Sequence, residues 1–435
     1  MYFLYSAALG SALLLTLPYW LLRMITQGKY RAGLAERLGR VPARLRSPGS
    51  GCIWIHAVSV GEVLAISRLV NALREQFPSR PVMISTTTAT GQKLARERFG
   101  EENVFYFPLD FAFAIRPYFR VLRPELVVLA ETEFWPNFLR LAQQSGARIA
   151  VVNARISDRS LPRYLRLRAI WRRVLQAVNL FLAQSEEDQG RLVAIGAAPD
   201  RIRVTGNLKF DITAPRETPL VATLRQKIEG PVLVFGSTVD GEEPLLLDAF
   251  RTVLARHPLA LLVLAPRHPE RFGAVAGLLA SSGFRFWRRS QLPADKALAG
   301  GVLLLDSIGE LAAIYTLATL AFVGGSLVPR GGHNILEPAQ HGVPVLVGPH
   351  TENFRDIVNT FQRENAVVIV QPQELAREIL RLLDDTAARS DLGWRAVTVS
   401  GAQAGATGRT LAAISDLLDR REAHAASPAA VEALR

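Results

Sequence analysis

The sequence predicts an α/β protein made of two doubly wound parallel sheets behind an apolar leading helix. Three observations carry this. Short apolar runs alternate with helical stretches on both sides of a polar break near residues 209–219, a pattern that builds parallel sheets covered by helices. Residues 2–22 hold no charge over 21 positions. The chain has 435 residues, 49% hydrophobic and 21% charged, enough for two or three packed domains and too apolar for disorder.

The uncharged run comes first. As a helix it would be roughly 32 Å long, about the thickness of a bilayer core. A cleaved signal has a basic start and a small-residue cleavage site. Here the charges follow instead: Arg23, Lys29, Arg31, Arg37, Arg40, Arg44 and Arg46 against Glu36. That asymmetry puts the following flank in the cytoplasm. Residues 1–24 read as a membrane anchor or a deep membrane-surface helix, with a buried core helix as the alternative. The net charge of +12 and pI near 10.4 suit an anionic membrane or a nucleic acid. No finger spacing, ribonucleoprotein-like aromatic pattern or long basic helix supports nucleic acid, so membrane lipid is the expected partner. The single cysteine, Cys52, excludes an intrachain disulfide and fits a reducing compartment.

Strands are expected at 52–56, 82–85, 104–107, 126–130, 149–152 and 180–183, with helices at 62–77 and 90–99. The apolar stripe Val63, Ile66, Leu69, Val70, Leu73 has helical spacing. This first domain covers 25–210. Between 155 and 173, seven arginines interleave with Leu161, Tyr164, Leu165, Leu167, Ile170 and Trp171; the stretch suits an anionic interface or a solvated helix with one core face. Residues 211–219 are a linker. The second domain, 220–420, has strands at 232–235, 261–264, 284–287, 302–305, 320–323, 345–347 and 367–370. A helix near 409–418 closes the chain, and 421–435 is expected to fray. Two such halves imply a cleft between Rossmann-like domains.

Candidate chemistry sits at the expected strand ends, where open α/β sheets bind ligands. Residues 323–338, VGGSLVPRGGHNILEP, carry two glycine pairs and then Asn334, an N-cap type; the helix start is a phosphate-site candidate, or the loop only turns the chain. Glu62 follows a strand-to-helix turn and is a candidate general base, which the helix start is expected to keep ionised; a plain first-turn acid is the alternative. Glu131 and Glu133 end another strand and are acid/base or metal candidates, pointing to opposite sides if the strand continues. Asp240-Gly241-Glu242 reads as a helix start needing no metal. Arg267 can hold phosphate or carboxylate. The loops at Arg267, Gly309 and Asn334 share one edge if the second sheet is parallel. No HExxH, P-loop or cysteine metal motif occurs, so neither metal nor other cofactor is expected.

Eight segments, in order, carry a family resemblance: HAVSVGEV (56–63), ETEFWPN (131–137), NARISDRS (153–160), NLKFD (207–211), GSTVDGEE (236–243), PRHPERF (266–272), FVGGSLVPRGGHNILEP (322–338) and GPHTENF (348–354). Together they resemble bacterial 3-deoxy-D-manno-octulosonic acid (Kdo) transferases over nearly the whole chain. The resemblance implies a GT-B glycosyltransferase fold. It implies transfer of Kdo from CMP-Kdo to a lipid A precursor at the cytoplasmic face of the inner membrane, without metal. It matches Glu62 to the catalytic base, and Glu131 and Lys209 to transition-state stabilisers. Pro266, Arg267, Ile308, Gly309, Glu310, Asn334, Ile335, Leu336 and Glu337 match the CMP-binding segments. The chain departs from the family's common form at Val239-Asp240, Ile308 and Ile335; the first change is expected to alter donor-side contacts, the others to leave backbone contacts in place. Three other classes stay open: a membrane-surface transferase using a UDP-sugar, a nucleotide-sugar epimerase, and an anchored binding protein without catalysis.

Overall fold

The computed structural model describes residues 1–27, 32–45, 51–211, 217–292 and 297–425. The chain folds as two compact units, one of residues 1–212 with 404–435 and one of residues 213–403.

The first unit holds seven parallel strands: β1 Cys52–His56, β2 Val82–Thr86, β3 Val104–Tyr106, β4 Pro124–Ala130, β5 Arg148–Ala154, β6 Leu180–Ala183 and β7 Ile202–Val204. Their order is β3-β2-β1-β4-β5-β6-β7. The chain winds outward from β1 in one direction and then returns to β1's other side at β4. Side chains alternate between two cores, as the pleat requires. Ile53 and Ile55 face one core with Leu126, Val128, Val63 and Ile66. Trp54 faces the other, ringed by Phe105, Phe119 and Phe138 at 4.9–5.4 Å between ring centroids.

The second unit holds β8 Val232–Thr238, β9 Leu261–Pro266, β10 Phe286–Arg288, β11 Gly301–Leu304, β12 Leu320–Val323, β13 Val345–Val347 and β14 Val368–Ile369. These are also parallel, in the order β10-β11-β9-β8-β12-β13-β14. Here the winding reverses between β8 and β12. Leu233 and Phe235 enter one core, Val232 and Val234 the other.

Most expected strands appear within a few residues. β7 had no counterpart in the sequence reading, because three residues with two polar neighbours give no periodic signal. A larger difference concerns the closing helix. The sequence assigned it to the second domain, ending at 420. It runs Ala406–Ala425 and packs in the first unit, where Ala406, Ala413, Ile414 and Leu418 complete the core containing Val63 and Leu126. Asp211 fixes its start, accepting the Gly405 N–H at 2.7 Å and the Thr407 N–H at 2.5 Å. The expected frayed tail is helical to Ala425, and its last ten residues lie outside the described ones. Among the described residues one helix, Tyr2–Gln27, is long and apolar enough to cross a membrane.

Candidate active site

In the first unit the reversal of winding lies between β1 and β4, and a crevice opens beyond their carboxyl ends at such a point. β1 leads through Ser59, in an extended N-cap conformation, into the helix Val60–Gln76. Glu62 sits in its first turn and folds back on the entry loop. The Val58 N–H donates to its Oε2 at 2.8 Å, and the Ser59 hydroxyl donates to its Oε1 at 2.9 Å. These bonds favour the ionised carboxylate, but they do not win. Burial, then the charges of Glu131 and Glu133, push the Glu62 pKa up to about 7. The expectation that the helix start keeps Glu62 ionised is thereby corrected: desolvation and like charge outweigh two donors.

β4 ends at Ala130, so Glu131 and Glu133 do not alternate on a continuing strand, and both act electrostatically on Glu62. Glu131 has φ 55°, a left-handed conformation that strains a side-chain-bearing residue. The Lys209 ammonium lies 3.1 Å from Glu131 Oε1. Glu133 accepts the Trp135 indole N–H at 2.8 Å; its pKa is raised, chiefly by burial.

Lys209 comes from the 3-10 turn Leu208–Asp211, held by a buried amide set that sequence reading did not find. Asn153, at the end of β5 with φ 54°, accepts the Leu208 N–H at 3.0 Å through Oδ1. Its carbonyl accepts Gln184 Nε2 at 2.9 Å, and Gln184 Oε1 accepts Asn207 Nδ2 at 2.9 Å. Asn207 Oδ1 in turn accepts the Lys209 N–H at 3.0 Å. The ends of β5, β6 and β7 thus position one lysine. The group thus offers a carboxyl able to take a proton at Glu62 and an ammonium held by Glu131 at Lys209.

In the second unit the reversal lies between β8 and β12, and Glu242 bridges the loops that follow them. Its carboxylate is fully buried. It accepts four backbone N–H groups: Val239 at 3.1 Å, Gly325 at 2.7 Å, and Ser326 and Leu327 at 2.9 Å. Read from sequence as a plain helix-start acid, Glu242 instead fixes the glycine loop. Gly325, with φ 71°, tolerates no side chain: a Cβ would stand 2.9 Å from the His333 ring. Glu243 is buried beside it and pairs with Arg271 at 2.5 Å.

Since the sheet is parallel, the loops at Arg267, Gly309 and Asn334 do share its carboxyl edge. Arg267 is exposed just past β9 and its charge acts on both His333 and Glu337. Burial, then Arg267 and His268, push the His333 pKa down to about 4. Asn334 Nδ2 donates to Glu337 Oε1 at 3.3 Å, and its Oδ1 accepts the Leu336 N–H at 3.2 Å. The helix that follows is a single turn, Leu336–Ala339. Pro266, Ile335 and Leu336 are buried, so only their backbones can face a ligand. Ile308 is 66% exposed and Gly309 has φ 87°. Glu310 is committed to Arg289 through two bonds of 2.8 and 3.1 Å, and to Ser307. Among the described residues no set of three or more His, Cys, Asp or Glu side chains converges as a metal site.

A family model described as 3-deoxy-D-manno-octulosonic-acid transferase (kdotransferase) matches residues 32–212. A 3-deoxy-D-manno-octulosonic acid transferase of Haemophilus influenzae is 35% identical over 426 residues, 96% of this chain and 99% of that protein. The chain belongs to the Kdo transferase family. A second relative of that name, from Bordetella pertussis, is 35% identical over 95% of this chain and 99% of its own length. A UDP-GlcNAc 2-epimerase from Neisseria meningitidis shares the fold, with a TM-score of 0.56 at 13% identity over 85% of this chain and 99% of that one. Kdo transferases are glycosyltransferases, and two doubly wound parallel sheets of this kind are the GT-B-like architecture. Within this family member, Glu62, Glu131, Glu133 and Lys209 form one group in the first unit, and Arg267, His333, Asn334 and Glu337 another in the second. The amides Asn153, Gln184 and Asn207 and the acids Glu242 and Glu243 were missed as supports. The NARIS, NLKFD and GSTVDGEE segments were the available signal.

Proposed function

We propose that this chain transfers Kdo from CMP-Kdo to a lipid A precursor with inversion at the anomeric carbon, on the cytoplasmic face of the inner membrane. Membership of the Kdo transferase family supports the sugar and the reaction class. The observation that carries the mechanism is Glu62: a carboxyl with a pKa near 7, at the winding reversal of the first sheet, under the charges of Glu131 and Glu133. Glu62 takes the proton from the acceptor hydroxyl as that oxygen attacks the anomeric carbon and the bond to the CMP phosphate breaks. A base with a pKa near the working pH is best suited to such a transfer. Lys209, held by Glu131, offsets negative charge that builds at the reacting centre.

The donor is assigned to the second unit. Arg267 suits the phosphate of CMP, with Asn334 and Glu337 available for polar contacts and the backbone of Pro266, Gly309, Ile335 and Leu336 lining the same edge. Ile308 offers an exposed apolar surface, and the Arg289-bound Glu310 fixes the loop beneath it. The basic stretch 155–173 fits the anionic acceptor and its membrane: Leu165, Leu167 and Ile170 are 43–48% exposed among arginines, while Tyr164 and Trp171 pack together at 4.8 Å.

The test is product mass after incubation with a tetra-acylated lipid A precursor and CMP-Kdo generated in the assay by a separate synthetase. Mass gains of one or more Kdo units are expected, with inhibition by CMP and not by UDP. A folded Glu62→Ala protein that keeps the wild-type rate would falsify the base assignment. UDP inhibition without Kdo transfer would replace the donor.

A further inference from the structure

The helix Tyr2–Gln27 is apolar on its outer face, yet it is not free of the protein. Its half-covered residues along the first three turns are Tyr2, Tyr5, Ser6, Leu9, Gly10 and Leu13, spaced three and four apart, so they form one stripe. That stripe meets polar groups of the first unit. Asn137 Nδ2 donates to Ser6 Oγ at 2.9 Å and to the Asp110 carbonyl at 2.7 Å. The Tyr5 hydroxyl hydrogen-bonds the Asp110 carboxylate. That carboxylate also caps the helix Pro136–Gln144, accepting the Asn137 N–H at 3.1 Å and the Phe138 N–H at 2.8 Å. The Arg140 guanidinium lies 4.7 Å from the centre of the Tyr2 ring.

We propose that this helix is docked on the first unit through Tyr2, Tyr5 and Ser6 and lies in a single leaflet of the membrane, without crossing it. Asn137 is fully buried and Asp110 nearly so, so both are part of the packed first unit. A bond from Asn137 to Ser6 keeps the first turns on that unit's side of the bilayer, and the chain returns to the same unit after Gln27. Beyond that stripe, residues 14–27 are 14 residues, which as a helix span about 21 Å, short of a hydrocarbon core of roughly 30 Å. Length and composition alone permit a crossing; the polar docking does not. The lipid-facing surface is apolar: Phe3, Leu4, Leu14, Leu15, Leu22 and Ile25 are 60–83% exposed. Phe113, 62% exposed and stacked on Phe111 at 5.5 Å, extends it from the unit itself, since Gly10 lies against Phe111. Arg23, over the Tyr19 ring at 5.1 Å, supplies the positive charge that suits an anionic lipid surface.

The experiment uses the full chain in native inner membranes and has two readouts, neither dependent on the sugar transferred. A short Gly-Ser-Cys extension ahead of Met1 is probed with a membrane-impermeant maleimide; Cys52 is buried and stays silent. Labelling in inverted vesicles and none in intact spheroplasts is expected. Labelling in intact spheroplasts overturns the proposal. In a second chain, Ser6→Cys and Asn137→Cys are oxidised in the membrane, and an intramolecular cross-link is expected in most molecules. A cytoplasmic extension without that cross-link, in a protein that retains its wild-type melting temperature, overturns the docking. Ser6→Cys paired with Arg201→Cys is the control that must not cross-link.

Discussion

At Glu62, burial and the neighbouring carboxylates raise the pKa to about 7, against about 4.3 for an unfolded glutamate. The folded state then binds the proton more tightly than the unfolded one. Stability from this group is complete below pH 4.3 and falls as pH rises towards 7. Glu62→Gln removes that penalty, so the variant should match wild type near pH 4 and exceed it by about 3–4 kcal/mol at pH 8, while losing transfer activity. Urea denaturation at the two pH values checks the first part. Glu131→Gln removes one of the charges that raise the Glu62 pKa and neutralises the carboxylate that lies against Lys209. The acid limb of the kcat/KM profile should therefore move to lower pH even as the rate falls. Glu242 makes a different residue-scale case. Each of its oxygens accepts two N–H groups, and Glu242→Gln turns an NH2 towards two of those donors. A loss of about 2–5 kcal/mol is expected, read by denaturation. The sequence shows where Glu62 and Glu131 stand because strand ends are local signals. It cannot show Glu242's role, because three of its four donors lie 83–85 residues away.

Among the elements, strands, site loops and the existence of the closing helix were legible, and the core that helix joins was not. A parallel strand buried on both faces reads as an apolar run wherever it pairs, and β1, β4, β8 and β12 all show it. A helix's apolar stripe says only that one face is covered, not by which core. The helix Ala406–Ala425 carries such a stripe, and its partner is decided by tertiary contacts. Asp211 holds its first turn, Arg409 Nε donates to the Thr205 carbonyl at 2.9 Å, and Arg203 pairs with Asp416 at 2.9 Å. The same limit applies to the helix Tyr2–Gln27, whose length suggested an anchor while its polar stripe at Tyr5 and Ser6 gave no sign of Asp110. Ile414 is fully buried in the first unit's core. Ile414→Ala should therefore cost about 2–5 kcal/mol, and the loss should fall on the first unit. Hydrogen exchange by mass spectrometry should show faster exchange in β1 and β4 and unchanged exchange in β8 and β12.

On the scale of the whole molecule, this return of the chain makes the two units unequal as folding entities. Residues 213–403 form a continuous segment with both of its cores supplied from within. Residues 1–212 do not: without the closing helix, the core around Val63, Leu126 and Leu182 loses Ala406, Ala413, Ile414 and Leu418. Burying Ile414 and Leu418 alone contributes roughly 3–6 kcal/mol, a large part of the 5–15 kcal/mol typical of a domain. Asp211 would also lose the two N–H groups it accepts. Expressed separately, residues 213–403 should unfold cooperatively in urea, and residues 1–212 should be aggregated or only partly folded. Joining 1–211 directly to 404–435 through a short flexible linker should restore a cooperative transition, since it returns the helix to the core that owns it. A cooperative, soluble 1–212 fragment would show that the closing helix covers a core already stable without it.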